Sequence, residues 1–180
     1  MKKLFYFIII LIFGACSVTT EDDTKATATS STAMPDYATT TLSGKIGTDW
    51  TFQTGRMVVP SSSSGSYWYS MTNDNLSNAC SSLYTGTSSN PKVTYSRADA
   101  PTAGETELSF TSGNVKTVTF YDGTTNYIVA KGKITIDTVT TTAVTGKMYA
   151  ISGTDTDHEI NGTFTLSRCC TSGSSYALCE

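Results

Sequence analysis

The only histidine, His158, stands among acids in Asp155-Thr156-Asp157-His158-Glu159. A histidine beside carboxylates is the usual material of a general base and its orienting acid. Such a base would serve a nucleophile, yet no Gly-x-Ser-x-Gly turn occurs, and nothing in the spacing brings one of the many serines to His158. The segment reads instead as a solvated hairpin tip, so no catalytic residue is assigned and the chain is read as a non-enzyme. Asp155, Asp157 and Glu159, and separately Asn73-Asp74-Asn75, offer oxygens to calcium, which takes six to eight of them. Neither run has the central glycine and distal glutamate of a calcium loop. The five cysteines lack the paired CxxC spacing of a zinc site. No metal and no cofactor is expected.

Aromatic residues give a better lead. Tyr67-Trp68-Tyr69 falls in an expected strand, where successive side chains alternate between faces. If Trp68 is core, two tyrosines lie side by side on the surface; if the tyrosines are core, Trp68 is the exposed ring. Either surface suits a sugar ring or a protein partner, whereas large aromatics more commonly build the core. Trp50 and Phe52 alternate with Thr51 in the same manner.

The elements that must position these residues read as strands. Thr, Val, Tyr and Ile recur with period two, and Gly, Asn, Asp and Ser clusters interrupt them roughly every ten residues, which is the pattern of an all-β sandwich or barrel. Strands are expected over 41–47, 50–59, 66–72, 92–97, 105–111, 114–121, 125–137, 142–151 and 158–168. Short connections imply antiparallel hairpins. The expected fold is an antiparallel β-sandwich with one short helix, with an up-and-down β-barrel as the alternative. The helix is placed over Asp74 to Tyr84, where Leu76, Ala79, Cys80, Leu83 and Tyr84 share one face and Asn73 or Asp74 supplies the N-cap.

A short pattern recurs: Leu42-Ser-Gly44-Lys-Ile46, Ala130-Lys-Gly132-Lys-Ile134, Val144-Thr-Gly146-Lys-Met148 and Ile160-Asn-Gly162-Thr-Phe164. Each glycine shares a strand face with its apolar flanks, where it permits close approach or a bend in the sheet. A phosphate-cradling loop would need a following helix, and none is indicated.

The N-terminus sets the compartment. Met1-Lys2-Lys3 precedes an apolar run, Leu4 to Phe13, about 15 Å long as a helix, half a bilayer core and the length of a signal-peptide core. The run ends in Phe13-Gly14-Ala15-Cys16-Ser17, which resembles the processing site of bacterial lipoproteins. The resemblance implies a signal peptide over 1–15 and diacylglycerol on Cys16, with a further acyl (palmitate-like) chain on its amine. Two or more chains anchor stably where one does not. Ser17 after the cysteine implies the outer membrane rather than retention at the inner one.

From Ser17 to Thr39 the chain is rich in Ser, Thr, Ala, Asp and Glu. It buries too little apolar surface to order itself, so 16–39 reads as a lipidated cysteine and flexible tether reaching roughly 25 Å. Residues 40–180 then form one domain. The 38% apolar content rises to about 46% with the 14 glycines, ordinary for a globular protein. Loss of Lys2 and Lys3 leaves ten basic against fifteen acidic side chains. Without clustered Lys and Arg, nucleic acid is excluded as a partner.

In an exported protein the remaining Cys80, Cys169, Cys170 and Cys179 should be disulfides. Four cysteines allow three pairings. Bonding the adjacent Cys169 and Cys170 would strain the geometry, so Cys80 should take one and Cys179 the other. The favoured version is Cys80–Cys169 with Cys170–Cys179. Redox chemistry at the adjacent pair is the functional alternative.

The domain also resembles small uncharacterised bacterial lipoproteins in two stretches, Gly44 to Phe52 (Gly-x-Ile-x-x-x-x-Trp-x-Phe) and Gly162 to Cys169 (Gly-x-Phe-x-Leu-x-x-Cys). That resemblance implies compartment and β architecture and transfers no activity. The function expected is a non-catalytic binding or structural role at the cell envelope. A small hydrophobic-ligand carrier of barrel type is the alternative, and an enzyme is the third reading.

Overall fold

The computed structural model describes residues 33–81, 90–153, 157–172 and 175–180. The chain divides into two compact units, Met1–Ala33 and Met34–Glu180, and the fold below is that of the second. The signal segment, Cys16 and most of the tether lie outside the described residues. Among the described residues no helix is long and apolar enough to cross a membrane.

The described residues form fourteen strands: β1 (Ser43–Ile46), β2 (Thr48–Thr51), β3 (Thr54–Val58), β4 (Tyr67–Thr72), β5 (Lys92–Arg97), β6 (Gly104–Glu107), β7 (Ser109–Thr111), β8 (Asn114–Lys116), β9 (Val118–Tyr121), β10 (Asn126–Val129), β11 (Lys131–Val139), β12 (Ala143–Ile151), β13 (His158–Ser172) and β14 (Ser175–Leu178). Twelve belong to one curled sheet in the order β10-β9-β5-β4-β3-β13-β12-β11-β6, with β1 and β14 paired to β13 and β2 paired to β1. The hairpin β7–β8 is a separate two-stranded sheet. The sheet is mixed rather than wholly antiparallel, because β3 and β13 pair in parallel at Arg56–Val58 against Ser167–Cys169.

Strand β13 is the spine. His158, Ile160, Gly162, Phe164 and Leu166 alternate inward along it and are buried, as period two requires. Ile160, Phe164 and Leu166 join Trp50, Met57, Tyr69, Phe120 and Met148 in one core on the concave side. Curvature comes from glycines on that face. Gly132 and Gly162 have φ of 142° and 146°, and a Cβ there would strike the Tyr149 carbonyl or the Leu42 backbone. The recurring glycine pattern therefore marks bends and close chain approaches.

Expected strands divide where the backbone changes partner. Within 50–59, the Phe52 N–H donates to Leu42 O and the Gln53 N–H to Thr72 O, so β2 ends on β1 and β3 starts on β4. Within 105–111 the buried Leu108 donates its N–H to Gly132 O, separating β6 from β7.

The expected helix is not there: no helix occurs among the described residues, and 74–81 is a chain of turns, with 82–84 outside them. The difference shows at Cys80, whose N–H donates to Asn78 Oδ1 (2.9 Å) and not to the Leu76 carbonyl that a helix would use. The Asp74 and Leu76 N–H groups, which a helix starting there would leave without i−4 carbonyls, go to Thr72 Oγ1 (3.1 Å) and Thr54 Oγ1 (3.0 Å) and tie the segment to the sheet.

The ordered domain also starts before Thr40. Asn161 clasps the incoming chain with both amide atoms, its Nδ2 donating to Asp36 O (3.0 Å) and its Oδ1 accepting from Ala38 N–H (2.9 Å). Tyr37 donates to Glu105 Oε2 and accepts from Thr135 Oγ1, while the Lys133 ammonium sits 4.6 Å from its ring centre. Burial there pushes the Tyr37 phenol up to about 12. Residues 36–39, expected in the tether, are thus bound to the sheet.

Candidate functional site

The tripeptide Tyr67-Trp68-Tyr69 divides between the two faces of β4. Tyr69 is 1% exposed in the core and Tyr67 packs against that core, whereas Trp68 is 55% exposed on the outer face. The exposed surface is therefore built around Trp68, and Tyr69 is no part of it.

Cross-strand register assembles its neighbours. Trp68 lies opposite Val58, Val58 beside Cys169, and Cys169 opposite Leu178, so one row runs across β4, β3, β13 and β14 on the outer face. Thr171 and Tyr176 pair one step further along. Val58, Ser62, Ser66, Trp68, Thr171 and Tyr176 line a shallow cleft of about 220 Å³. Its rim is rich in hydroxyls because the β3–β4 connection is Ser61-Ser62-Ser63-Ser64-Gly65-Ser66, turned by a Gly65 N–H bond to Ser62 O.

Two disulfides hold this row. Cys80 bonds Cys169, with Cα atoms 5.5 Å apart, and carries the 73–81 segment over the outer face, where Cys169 is fully buried. Cys170 bonds Cys179 across the β13–β14 hairpin, Cα atoms 5.1 Å apart, and so fixes the strand bearing Tyr176. This is the pairing favoured from the sequence. The Arg56 guanidinium lies 5.2 Å from the Tyr176 ring centre and donates from Nη1 to Ser81 O (3.0 Å), linking ring, strand and disulfide segment.

Such a cleft offers two aromatic surfaces, an apolar floor and neutral hydroxyls. It can stack on and hydrogen-bond to a polar ring.

The other candidates are not assembled there. His158 is buried at the start of β13, its ring centre 4.0 Å from that of Tyr127, and not at an exposed hairpin tip. Asp157 is exposed and faces Lys45 at 3.7 Å, and Asp155 lies outside the described residues. Asp74 is occupied by the Thr72 hydroxyl and the Asn90 amide. Among the described residues no group of three His, Cys, Asp or Glu is placed to hold a metal.

Sequence reasoning missed Tyr176 and Arg56. The signal for Tyr176 was its enclosure between Cys170 and Cys179, since a short cystine loop displays what it carries. The concave face holds a second polar feature. Tyr67 lies opposite Arg97 and Tyr69 opposite Tyr95, the last two rings 5.2 Å apart. Burial raises the Tyr69 and Tyr95 phenols above the ordinary tyrosine value, and the charge of Arg97 opposes the rise at both.

No family model, curated protein or solved structure matches the chain, so its similarity to known proteins supplies neither a family nor a function.

Proposed function

We propose that the chain is a lipid-anchored protein of the bacterial cell envelope, held through Cys16 at the outer membrane, whose β-domain binds glycan non-catalytically in the Trp68–Tyr176 cleft. The observation that carries the reading is a large indole left 55% exposed beside a second ring on a disulfide-braced surface. Keeping such a ring in water forgoes the burial that stabilises most aromatics, and a stacking partner restores it.

The rim favours a neutral, hydroxyl-rich ligand, because Ser62, Ser66 and Thr171 both donate and accept. Two disulfides and an unbroken apolar run ending at Gly14-Ala15-Cys16 support the compartment. We read the curled sheet as an incompletely closed barrel rather than a sandwich, since one continuous sheet surrounds the core. Carriage of a hydrophobic molecule inside it finds less support. Trp50, Phe120, Met148, Ile160 and Leu166, all at most 1% exposed, occupy the concave side.

Titrating the oxidised protein with peptidoglycan fragments and envelope oligosaccharides tests the binding reading. Trp68→Ala should weaken the bound glycan by about 30-fold, the effect of a ~2 kcal/mol hot spot, without changing the melting midpoint appreciably. Equal affinity in wild type and variant would reject the cleft. Radiolabelled palmitate should enter the wild-type chain and not Cys16→Ser, and the variant should leave the membrane fraction.

A further inference from the structure

We propose that the concave end of the sheet is a second binding site, for the carboxylate group of a small monoanionic ligand, with Arg97 as its principal partner. It goes beyond the glycan reading and uses the opposite face of β4.

The side chains of Tyr67, Tyr69, Tyr95 and Arg97 share the core-facing side through the β4–β5 register. Tyr69 is fully in the core and Tyr95 nearly so, whereas Arg97 ends the row half-buried where the sheet opens. Beyond it lies a cavity of about 220 Å³ lined by Tyr95, Arg97, Asp99, Thr106, Val115 and Lys116. The cavity is walled on one side by β5 and on the others by the edge strand β6 and the β7–β8 hairpin.

Charge at this site is only partly compensated, with Arg97 and Lys116 on the lining against Asp99. The two ion pairs among the described residues are Lys45–Asp157 and Lys147–Asp137, and neither involves Arg97 or Lys116. A half-buried guanidinium on a core-facing row loses hydration and here forms no ion pair in return. The Tyr69 hydroxyl, further along the same row, is buried without a hydrogen-bond partner and does not line the cavity. A guanidinium outside any ion pair and an ammonium on one cavity describe a receptor for an anion.

The lining narrows the class. Arg97 and Lys116 against Asp99 leave one net positive charge, matched by a monoanion better than by a doubly charged phosphate. The planar guanidinium fork suits a carboxylate held by two parallel bonds. Val115 gives an apolar wall for a short carbon body, and the volume limits its length. The carboxylate can belong to a free acid or to an acidic sugar.

The oxidised protein titrated with butyrate, glucuronate, butanamide and inorganic phosphate, followed by calorimetry or amide chemical shifts, tests the site. Butyrate or glucuronate should saturate with a Kd on the order of 1 mM, and butanamide should bind at least ~10-fold more weakly. Preference for glucuronate would assign an acidic glycan, and preference for butyrate a free acid. Arg97→Gln should weaken binding at least ~10-fold. Arg97→Lys, which keeps the charge and loses the fork, should weaken it less. Lys116→Gln, on an exposed strand, provides a variant that leaves the core untouched and should weaken binding a few-fold. Trp68→Ala should leave butyrate binding unchanged. No saturable binding, equal binding of butanamide, tighter phosphate binding, indifference to Arg97 and Lys116, or loss of butyrate binding in Trp68→Ala would each overturn the proposal.

Discussion

The two faces of β4 begin from one tripeptide and end as different surfaces. On the outer face Trp68 stands in a cleft whose far wall, Tyr176, belongs to a strand tied down by a short cystine loop. On the concave face Tyr67 and Tyr69 pack into a continuous core and lead to the unpaired Arg97. The Cys80–Cys169 bond holds the outer surface where packing is thin, and Cys170–Cys179, from the other face of β13, ties down the strand that bears Tyr176; the row that leads to Arg97 contains no cystine and is held by burial. The outer cleft is lined by neutral, largely hydroxylated side chains, whereas the lining of the concave opening carries net positive charge. Alternation along a strand can thus give one short motif two unrelated chemistries, each set by whatever its face meets.

Breaking the cross-links should separate the faces. Replacing Cys80 and Cys169 by alanine opens a loop with sequence separation 89, which corresponds to about 4–5 kcal/mol by loop-closure entropy. The melting midpoint should fall by about 10–15 °C in a calorimetric scan of a domain this size. A fall of only a degree or two would mean that the 73–81 segment is held by its hydrogen bonds alone. Replacing Cys170 and Cys179 should cost about 3 kcal/mol. The effect on binding should be one-sided, with glycan affinity reduced because Tyr176 loses its support and butyrate affinity retained. Equal loss of both would show that the faces are not independent.

The strand content was legible because period two survives wherever one face is buried. Val118 and Phe120 alternate with Thr119, and Ile134 and Ile136 with Thr135, and each set lies in a strand with the apolar members inward. The cystine pairing was legible in part, since adjacent Cys169 and Cys170 are badly placed to bond each other; that Cys80 takes Cys169 follows from the 73–81 segment crossing the outer face of β13, which only the fold shows. The helix at 74–84 was misread for a definite reason. Its apolar spacing fits a helix, yet the Cys80 N–H goes to the Asn78 side chain two residues back, in place of the Leu76 carbonyl. The parallel β3–β13 pair was invisible because its partners are more than a hundred residues apart and no local pattern records the crossing. Arg97 escaped notice for a related reason. It continues the inward row of Val93 and Tyr95, but only the fold shows that the row ends at an opening. The two candidate surfaces were half legible. The motif was found, and which ring faced outward was not.

The smallest expected effect bears on the concave face. Tyr69→Phe removes a hydroxyl that is buried without a hydrogen-bond partner, at 1% exposure of the side chain. A buried tyrosine with a good bond loses stability on this change. Here the loss of an unsatisfied group should leave stability at pH 7 unchanged or raised by up to about 1 kcal/mol. The gap should widen in alkali. Because burial raises the Tyr69 phenol in the fold, its stabilising contribution is complete below the unfolded tyrosine value near pH 10 and is lost as pH rises through the higher folded value. Urea titrations at pH 7 and pH 11 should therefore show the variant gaining on the wild type at the higher pH. A clear loss at pH 7 would mean that the hydroxyl is satisfied in solution, and Arg97 would then stand alone as the reason to place an anion at this end of the sheet.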